Sequence, residues 1–236
     1  IARSEPASEP QDPRPIAEQS ESTPTPPAPE AEPSTPAPAT PPAAPSLPEA
    51  QPPIDADPPA SANALTQLRL CPIMTVQNAP ASEQSVILNY TGYVSKNGVE
   101  LAVAPVGRGC LSSGFGQRSG SLHKGVDLHY SRPTPVFAGG SGIIKERIYR
   151  DDYGNMIVID HGSGVFTRYA HLESFEPGLS EGDPIASGAE IGLMGNTASY
   201  RIPRHLHYEV LTGEWGEKAG SFALTPVDIF QLPTAR

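Results

Sequence analysis

The sequence predicts an all-β, β-dominated antiparallel domain behind a proline-rich segment, and three observations carry that expectation. The first 60 residues hold 19 of the 29 prolines and almost no large apolar side chain. From residue 61 onward, short runs of β-branched and aromatic residues alternate with glycine-, asparagine- and aspartate-containing turns, the pattern of strands rather than helices. No sustained 3.6-residue apolar stripe interrupts them, apart from a short helix suggested by "SANALTQLRL" at 61–70.

Taken in order, residues 1–60 read as a disordered Pro/Ala/Glu-rich linker. Stretches such as "TPTPPAPEAEPSTPAPATPPAAP" cannot bury enough surface to offset the entropy of ordering. They form a semi-extended spacer, with Pro-x-x-Pro matches that could engage an envelope partner or arise by composition alone. Residues 61–110 read as an N-terminal β subdomain or extension. In it "SVILNYTGYV" and "VELAVAP" flank "SKNG", a hairpin in which Asn97-Gly98 supplies the left-handed turn. Residues 111–236 then form the main domain, with strands in "TPVFAGGSGIIKERIYR", "NMIVIDHGSGVFTRYAHL" and "AEIGLMGN". Cys71 and Cys110 are the only cysteines and have no CxxC spacing. They fit one disulfide closing a loop of about 40 residues, worth roughly 3 to 4 kcal/mol in an oxidising compartment, or else two buried thiols.

The charge balance excludes several classes. The net charge of −10 resides mostly in the first 60 residues, which carry ten acidic and two basic side chains. The remainder holds 14 basic and 16 acidic residues, with no basic stripe or interleaved aromatic platform for nucleic acid. No apolar run approaches the roughly 20 residues that span a bilayer. A first residue of Ile rather than Met fits a mature exported form or a trimmed chain, with a removed signal peptide or anchor left open.

Six histidines occur, at 123, 129, 161, 171, 205 and 207. In "RIPRHLHYEV", His205 and His207 are two apart in a strand-like run, so both imidazoles share a face and their Cα atoms lie roughly 6.6 Å apart. Leu206, Tyr208 and Val210 then face the core, while Glu209 shares the histidine face and reads as a solvated carboxylate or a support for a ligand. In "HKGVDLHY", His123 and Asp127 are roughly 13 Å apart along a straight strand. A bend at Gly125 would let them converge. Two His nitrogens and one Asp oxygen make a mixed donor set suited to Zn²⁺, with a fourth position left open as in catalytic rather than structural sites.

These segments resemble the lysostaphin/LytM family of zinc metallopeptidases. The resemblance runs almost continuously from about 114 to 212, through "GFGQR", "HKGVDL", "TPVFAGGSGII", "YGNMIVIDHGSGVFTRYAHL", "EGDPIASGAEIGLMGNT" and "HLHYEV". It implies a LytM-like, duplicated-hybrid-motif domain with one zinc ion per chain held by His123, Asp127 and His207, and with His171 and His205 flanking the water position. It places Tyr153, Gly154 and Asn155 where they could line the groove. His129 and His161 fall outside the metal positions. Where the family has a Gly/Ser/Thr-rich stretch ending in Gly-Pro, this chain reads "ASYRIPR", so Arg201 and Arg204 become candidates for a substrate carboxylate or plain exposed arginines.

The implied activity is that of a secreted or periplasmic zinc endopeptidase hydrolysing the peptide cross-links of bacterial peptidoglycan. One alternative is a non-catalytic LytM-like regulator of another cell-wall hydrolase; such relatives have lost metal-site residues, and this chain has all five. Another is an enzyme kept latent by its N-terminal segment, with Asn78 or Asn89 in the open metal position.

Overall fold

The structure, a computed structural model, describes residues 64–235; the linker expected over 1–60 lies outside the described residues. Among the described residues there are sixteen strands and two 3-10 turns, Ser221–Ala223 and Ile229–Gln231, and no α-helix. In chain order, β1 (Ser82–Glu83) and β2 (Val86–Ile87) form a ribbon, and β3 (Tyr93–Lys96) and β4 (Val99–Ala102) a hairpin. There follow β5 (Cys110–Ser113), a second hairpin of β6 (Gly116–Arg118) and β7 (Ser121–His123), then β8 (Val126–His129), β9 (Pro135–Phe137) and β10 (Gly142–Arg150). The chain continues through β11 (Gly154–Asp160), β12 (Val165–Phe175), β13 (Pro184–Ile185), β14 (Glu190–Met194), β15 (His205–Thr212) and β16 (Thr225–Val227).

The main sheet runs β13-β10-β11-β12-β15-β8-β5, with β14 paired to β12 and β9, and β16 paired to β15. Its named ladders are antiparallel, so the all-β expectation holds. The β3–β4 hairpin turns at Asn97 (φ 50°) and Gly98 (φ 81°), the left-handed pair that the Asn-Gly dipeptide supplies. The helix suggested over 61–70 is absent from its described part. Arg69 and Leu70 instead make β-bridges to Val86 and Leu111, and Leu68 is fully buried. Backbone groups that a helix would have used internally are taken partly by Leu111 of β5 and partly by Ser85, Ile87 and Ala104.

Both faces of the sheet are covered, and this decides the environment of the site. Leu206, Tyr208 and Val210 join the principal core with Leu111, Leu128 and Tyr169, as the two-residue period requires. Leu68, Ile87, Val94 and Leu101 from the segment before residue 110 belong to that same cluster. The opposite face of β15 continues into a smaller cluster of Met156, Val158, Phe166, Ala170 and Leu211, over which Trp215, Phe222 and Leu224 fold back. Cys71 and Cys110 are joined in a disulfide that ties the N-terminal segment to β5. No helix among the described residues is long and apolar enough to cross a membrane.

Candidate metal centre

Three adjacent strands bring the histidine-bearing segments together. In the β8–β15 ladder, His207 stands opposite Asp127 and His205 opposite His129; in the β12–β15 ladder, His207 stands opposite Ala170. His123 arrives at the end of β7, where it pairs with Gly116. Gly125, between His123 and Asp127, is not in the left-handed region. What it contributes is room: a Cβ there would lie 2.2 Å from the Tyr208 carbonyl oxygen and 2.9 Å from Glu209 Cγ. The close approach of the chain to β15, rather than a special turn, brings His123 and Asp127 to one place.

The donor atoms converge tightly. His123 Nε2 lies 3.0 Å from Asp127 Oδ1 and 3.1 Å from His207 Nδ1, and His207 Nδ1 lies 2.8 Å from Asp127 Oδ1. All three side chains are buried. Tautomers follow from the partners on the far side of each ring. His123 Nδ1 donates to the Gly114 carbonyl at 2.7 Å, which leaves Nε2 as the lone pair. His207 Nε2 donates to Glu209 Oε1 at 2.9 Å, which leaves Nδ1 to face Asp127. Arg118 holds the other Asp127 oxygen, Oδ2, at 3.0 Å.

Three donor atoms this close require positive charge among them, whether a proton on the His207 ring or a metal cation. Tetrahedral ligands of a zinc ion, at about 2.0 to 2.2 Å each, stand roughly 3.3 Å apart, close to the separations here, so the residues fit a small divalent cation. The electrostatics agree. Burial alone would raise the Asp127 carboxyl, but hydrogen bonds from His123 and His207 and the charge of His207 hold it well below the usual carboxylate range. Burial acts to lower the His207 ring, but hydrogen bonds to Asp127 and Glu209 and their charges raise it to about 9. Two carboxylates on one imidazole mark a place where positive charge is favoured.

His171 and His205 form the neighbouring wall, with ring centroids 4.7 Å apart. His171 Nδ1 donates to the Thr197 carbonyl and His205 Nδ1 to that of Pro203, each at 2.8 Å, so both Nε2 atoms are left as acceptors. His205 Nε2 is 3.8 Å from Asp127 Oδ1. Burial, with His205 beside it, pushes the His171 ring down to about 4, and burial likewise lowers His205, so both are neutral at pH 7. His171 has φ 62°, in the left-handed region that is costly for a side chain with a Cβ. It sits in a β-bulge: between the pairs Tyr169–Ile157 and Leu172–Asn155, Ala170 and His171 stand opposite the single residue Met156 of β11. The bulge turns His171 out of the strand's alternation, as bulges beside functional sites do.

A cavity of about 500 Å³ opens over this cluster, lined by Tyr153, Met74, Leu122, Tyr200 and Ile202 besides the histidines. Tyr153 lines it, while its hydroxyl donates to Glu209 Oε1 at 2.9 Å. Asn155 uses its side-chain amide on the Leu172 and Glu173 carbonyls, and Arg204 pairs with Glu173 at 2.7 Å; neither is among the cavity's lining residues. Asn78 donates to the Gln117 carbonyl, and neither it nor Asn89 lines the cavity. His129 does line it, with Nδ1 on the Arg204 carbonyl at 2.6 Å, whereas His161 lies apart against Ser141 and Thr167. Glu209 is not a solvated carboxylate: it is fully buried and ion-paired to the equally buried Arg168 at 2.6 Å. Arg118, Arg168 and the burial of Glu209 have no signal in the sequence beyond the places of the two arginines in "GFGQR" and "YGNMIVIDHGSGVFTRYAHL" and that of Glu209 on the histidine face.

Comparison with known proteins finds similarity to one peptidase family. Residues 121–218 match the model of peptidase family M23. The chain is 39% identical over 131 residues to the DD-carboxypeptidase/endopeptidase Mpg of Neisseria meningitidis serogroup B, covering 53% of this chain and 30% of that protein. It is 37% identical over 89 residues to the peptidoglycan DD-endopeptidase ShyA of Vibrio cholerae, covering 38% of this chain and 20% of that one. The chain thus spans less than a third of the length of these two relatives. Among solved structures, the catalytic domain of lysostaphin from Staphylococcus simulans superposes with a TM-score of 0.44 at 26% identity, over 52% of this chain and 90% of that one. The family resemblance carried by the residue blocks is borne out.

Proposed function

From the premise that residues 121–218 are an M23 peptidase domain, we propose that the chain is a zinc-dependent endopeptidase that hydrolyses peptide cross-links of bacterial peptidoglycan in the periplasm or outside the cell. The observation that carries this reading is the convergence of His123 Nε2, Asp127 Oδ1 and His207 Nδ1 within 3.1 Å of one another, with the neutral rings of His171 and His205 alongside. These three side chains would hold the zinc ion, which would supply an acidified water and polarise a carbonyl.

The chain's own residues carry the rest. With Nδ1 committed to the carbonyls of Thr197 and Pro203, His171 and His205 each aim an Nε2 lone pair at the cavity. One accepts the proton of the attacking water at Nε2, and the imidazolium so formed passes that same proton to the departing amine nitrogen as the C–N bond breaks, while its neighbour packs against it. Because burial depresses both rings, an acquired proton is readily released, which suits a shuttle. Arg118 holds and orients Asp127 through Oδ2, leaving Oδ1 for the cation. Met74, Leu122 and Ile202, among the residues lining the cavity, give a substrate an apolar wall. Two relatives, one named a DD-carboxypeptidase/endopeptidase and the other a peptidoglycan DD-endopeptidase, support the substrate class.

The test is metal content together with hydrolysis of purified peptidoglycan by the wild type and His207→Ala. About one zinc per chain and soluble fragments from the wild type alone are expected, and the fragment masses identify the bond. Absence of both zinc and cleavage in the wild type overturns the reading in favour of a non-catalytic regulator.

A further inference from the structure

Arg168 and Glu209 are the most deeply buried ions among the described residues, 1% and 0% exposed. Arg168 Nη1 donates to Glu209 Oε2 at 2.6 Å and Nη2 to the Ser221 carbonyl at 2.9 Å. The guanidinium lies against Phe222, 4.2 Å from the ring centroid, and against Tyr153 at 5.0 Å. The other carboxylate oxygen, Oε1, accepts from both Tyr153 and His207. A buried ion pair seldom repays its desolvation: a pair of apolar residues of similar volume is often as stable or more so. Stability therefore does not explain why two charges occupy this face of the sheet.

Their connection to His207 does. An imidazole on a strand can rotate about its side-chain bonds and exchange tautomers, and either change would turn a proton rather than a lone pair toward Asp127. The carboxylate at 2.9 Å from Nε2 prevents both. Glu209 is in turn fixed by Arg168, and Arg168 by the 3-10 turn Ser221–Ala223, which lies beyond the part of the chain that matches the peptidase family.

We propose that the buried Arg168–Glu209 pair is the positioning device of the metal site: it locks His207 with Nε2–H on the carboxylate and Nδ1 free, and so sets the affinity of the centre for its cation. The pair is a set of positioning residues; neither lines the cavity. The inference rests on the metal-site reading above. It also assigns a role to the C-terminal turn, whose Ser221 and Phe222 keep the pair dry.

The experiment strips the full chain with a chelator and titrates it with Zn²⁺ against a chromophoric competitor, and with Co²⁺ followed by visible absorption. Glu209→Gln keeps the shape and an acceptor oxygen but removes the charge. Its Zn²⁺ affinity is expected to fall about 10- to 100-fold, the usual effect of losing a hydrogen-bond partner behind a ligand, with an altered Co²⁺ spectrum and a cooperative thermal transition. Should the single variant fail to fold because Arg168 is left unpaired, the double variant Arg168→Gln/Glu209→Gln, which buries no lone charge, carries the same expectation. Affinity within twofold of wild type and an unchanged Co²⁺ spectrum would overturn the proposal and leave the pair a structural feature. A wild type that binds neither metal overturns the metal-site reading itself, which keeps the two failures apart.

Discussion

His171 and His205 come from β12 and β15, yet their rings pack at 4.7 Å with each Nδ1 turned to a backbone carbonyl and away from the cavity. Neither ring is among the three donors that meet at the metal position. Replacing either by alanine is therefore expected to lower kcat by about 10²- to 10⁴-fold, the range for a positioned proton-transfer group, while zinc content stays near that of the wild type. Peptidoglycan hydrolysis and metal analysis on the same preparations check this. Loss of zinc from either variant would move that histidine into the ligand set.

Gly125 is predicted to be intolerant of any side chain. A Cβ would meet the carbonyl oxygen of Tyr208 at 2.2 Å and its carbon at 2.8 Å, and backbone cannot step aside as a side-chain tip can. Gly125→Ala must push β8 from β15, the two strands that set Asp127 opposite His207. A loss of about 1 to 3 kcal/mol, as for other overpacked sites, is expected together with weakened zinc binding. Denaturant unfolding and metal titration of this one variant report both effects; wild-type values in both would show that the strands have slack.

Much of this centre was legible because it depends on local periodicity. The two-residue period of a strand places His205 and His207 on one face and Leu206 and Tyr208 on the other, and the structure follows it. Glu209 obeys the same period, but its burial depends on Trp215, Phe222 and Leu224 folding back over that face, a tertiary event with no trace in the strand itself. His171 was harder for a different reason. A bulge shifts alternation by one residue, and the left-handed backbone it requires is usually announced by Gly or Asn, whereas here a histidine occupies it. The short helix suggested at 61–70 failed because periodicity in ten residues is weak evidence against an unpaired strand edge such as β5 offers.

The Cys71–Cys110 disulfide is predicted to contribute substantially to stability. It closes a separation of 39 residues, for which the loop-entropy relation gives about 4 kcal/mol. The backbone beside it already pairs with β5, Cys71 N donating to the Leu111 carbonyl at 3.0 Å. Loss of the bond thus acts on the unfolded chain more than on native contacts. Cys71→Ser/Cys110→Ser, and wild type under reductant, should show the same lowered urea midpoint. An unchanged midpoint would assign the tethering to the sheet edge alone.

His161 is expected to make stability fall as the medium is acidified, by a route independent of the metal centre. Its Nδ1 donates to the Ser141 carbonyl at 2.8 Å, and its Nε2 lies 2.8 Å from the hydroxyl of the buried Thr167, itself 2.8 Å from the Tyr169 hydroxyl. Burial depresses the ring below its ordinary value, outweighing the Ser141 hydrogen bond and the charge of Asp160, which both act to raise it. With the folded value below about 6.5, the unfolded chain takes up a proton that the folded chain refuses, so stability declines as pH drops through that range and levels off once the folded ring also protonates. His171 and His205 are depressed in the same sense, so the test must be differential. His161→Gln keeps an amide able to bond at both ends and does not titrate. Between pH 7 and 5, the melting temperature of the zinc-loaded variant should therefore decline less steeply than that of the wild type, and parallel curves would place the titration elsewhere.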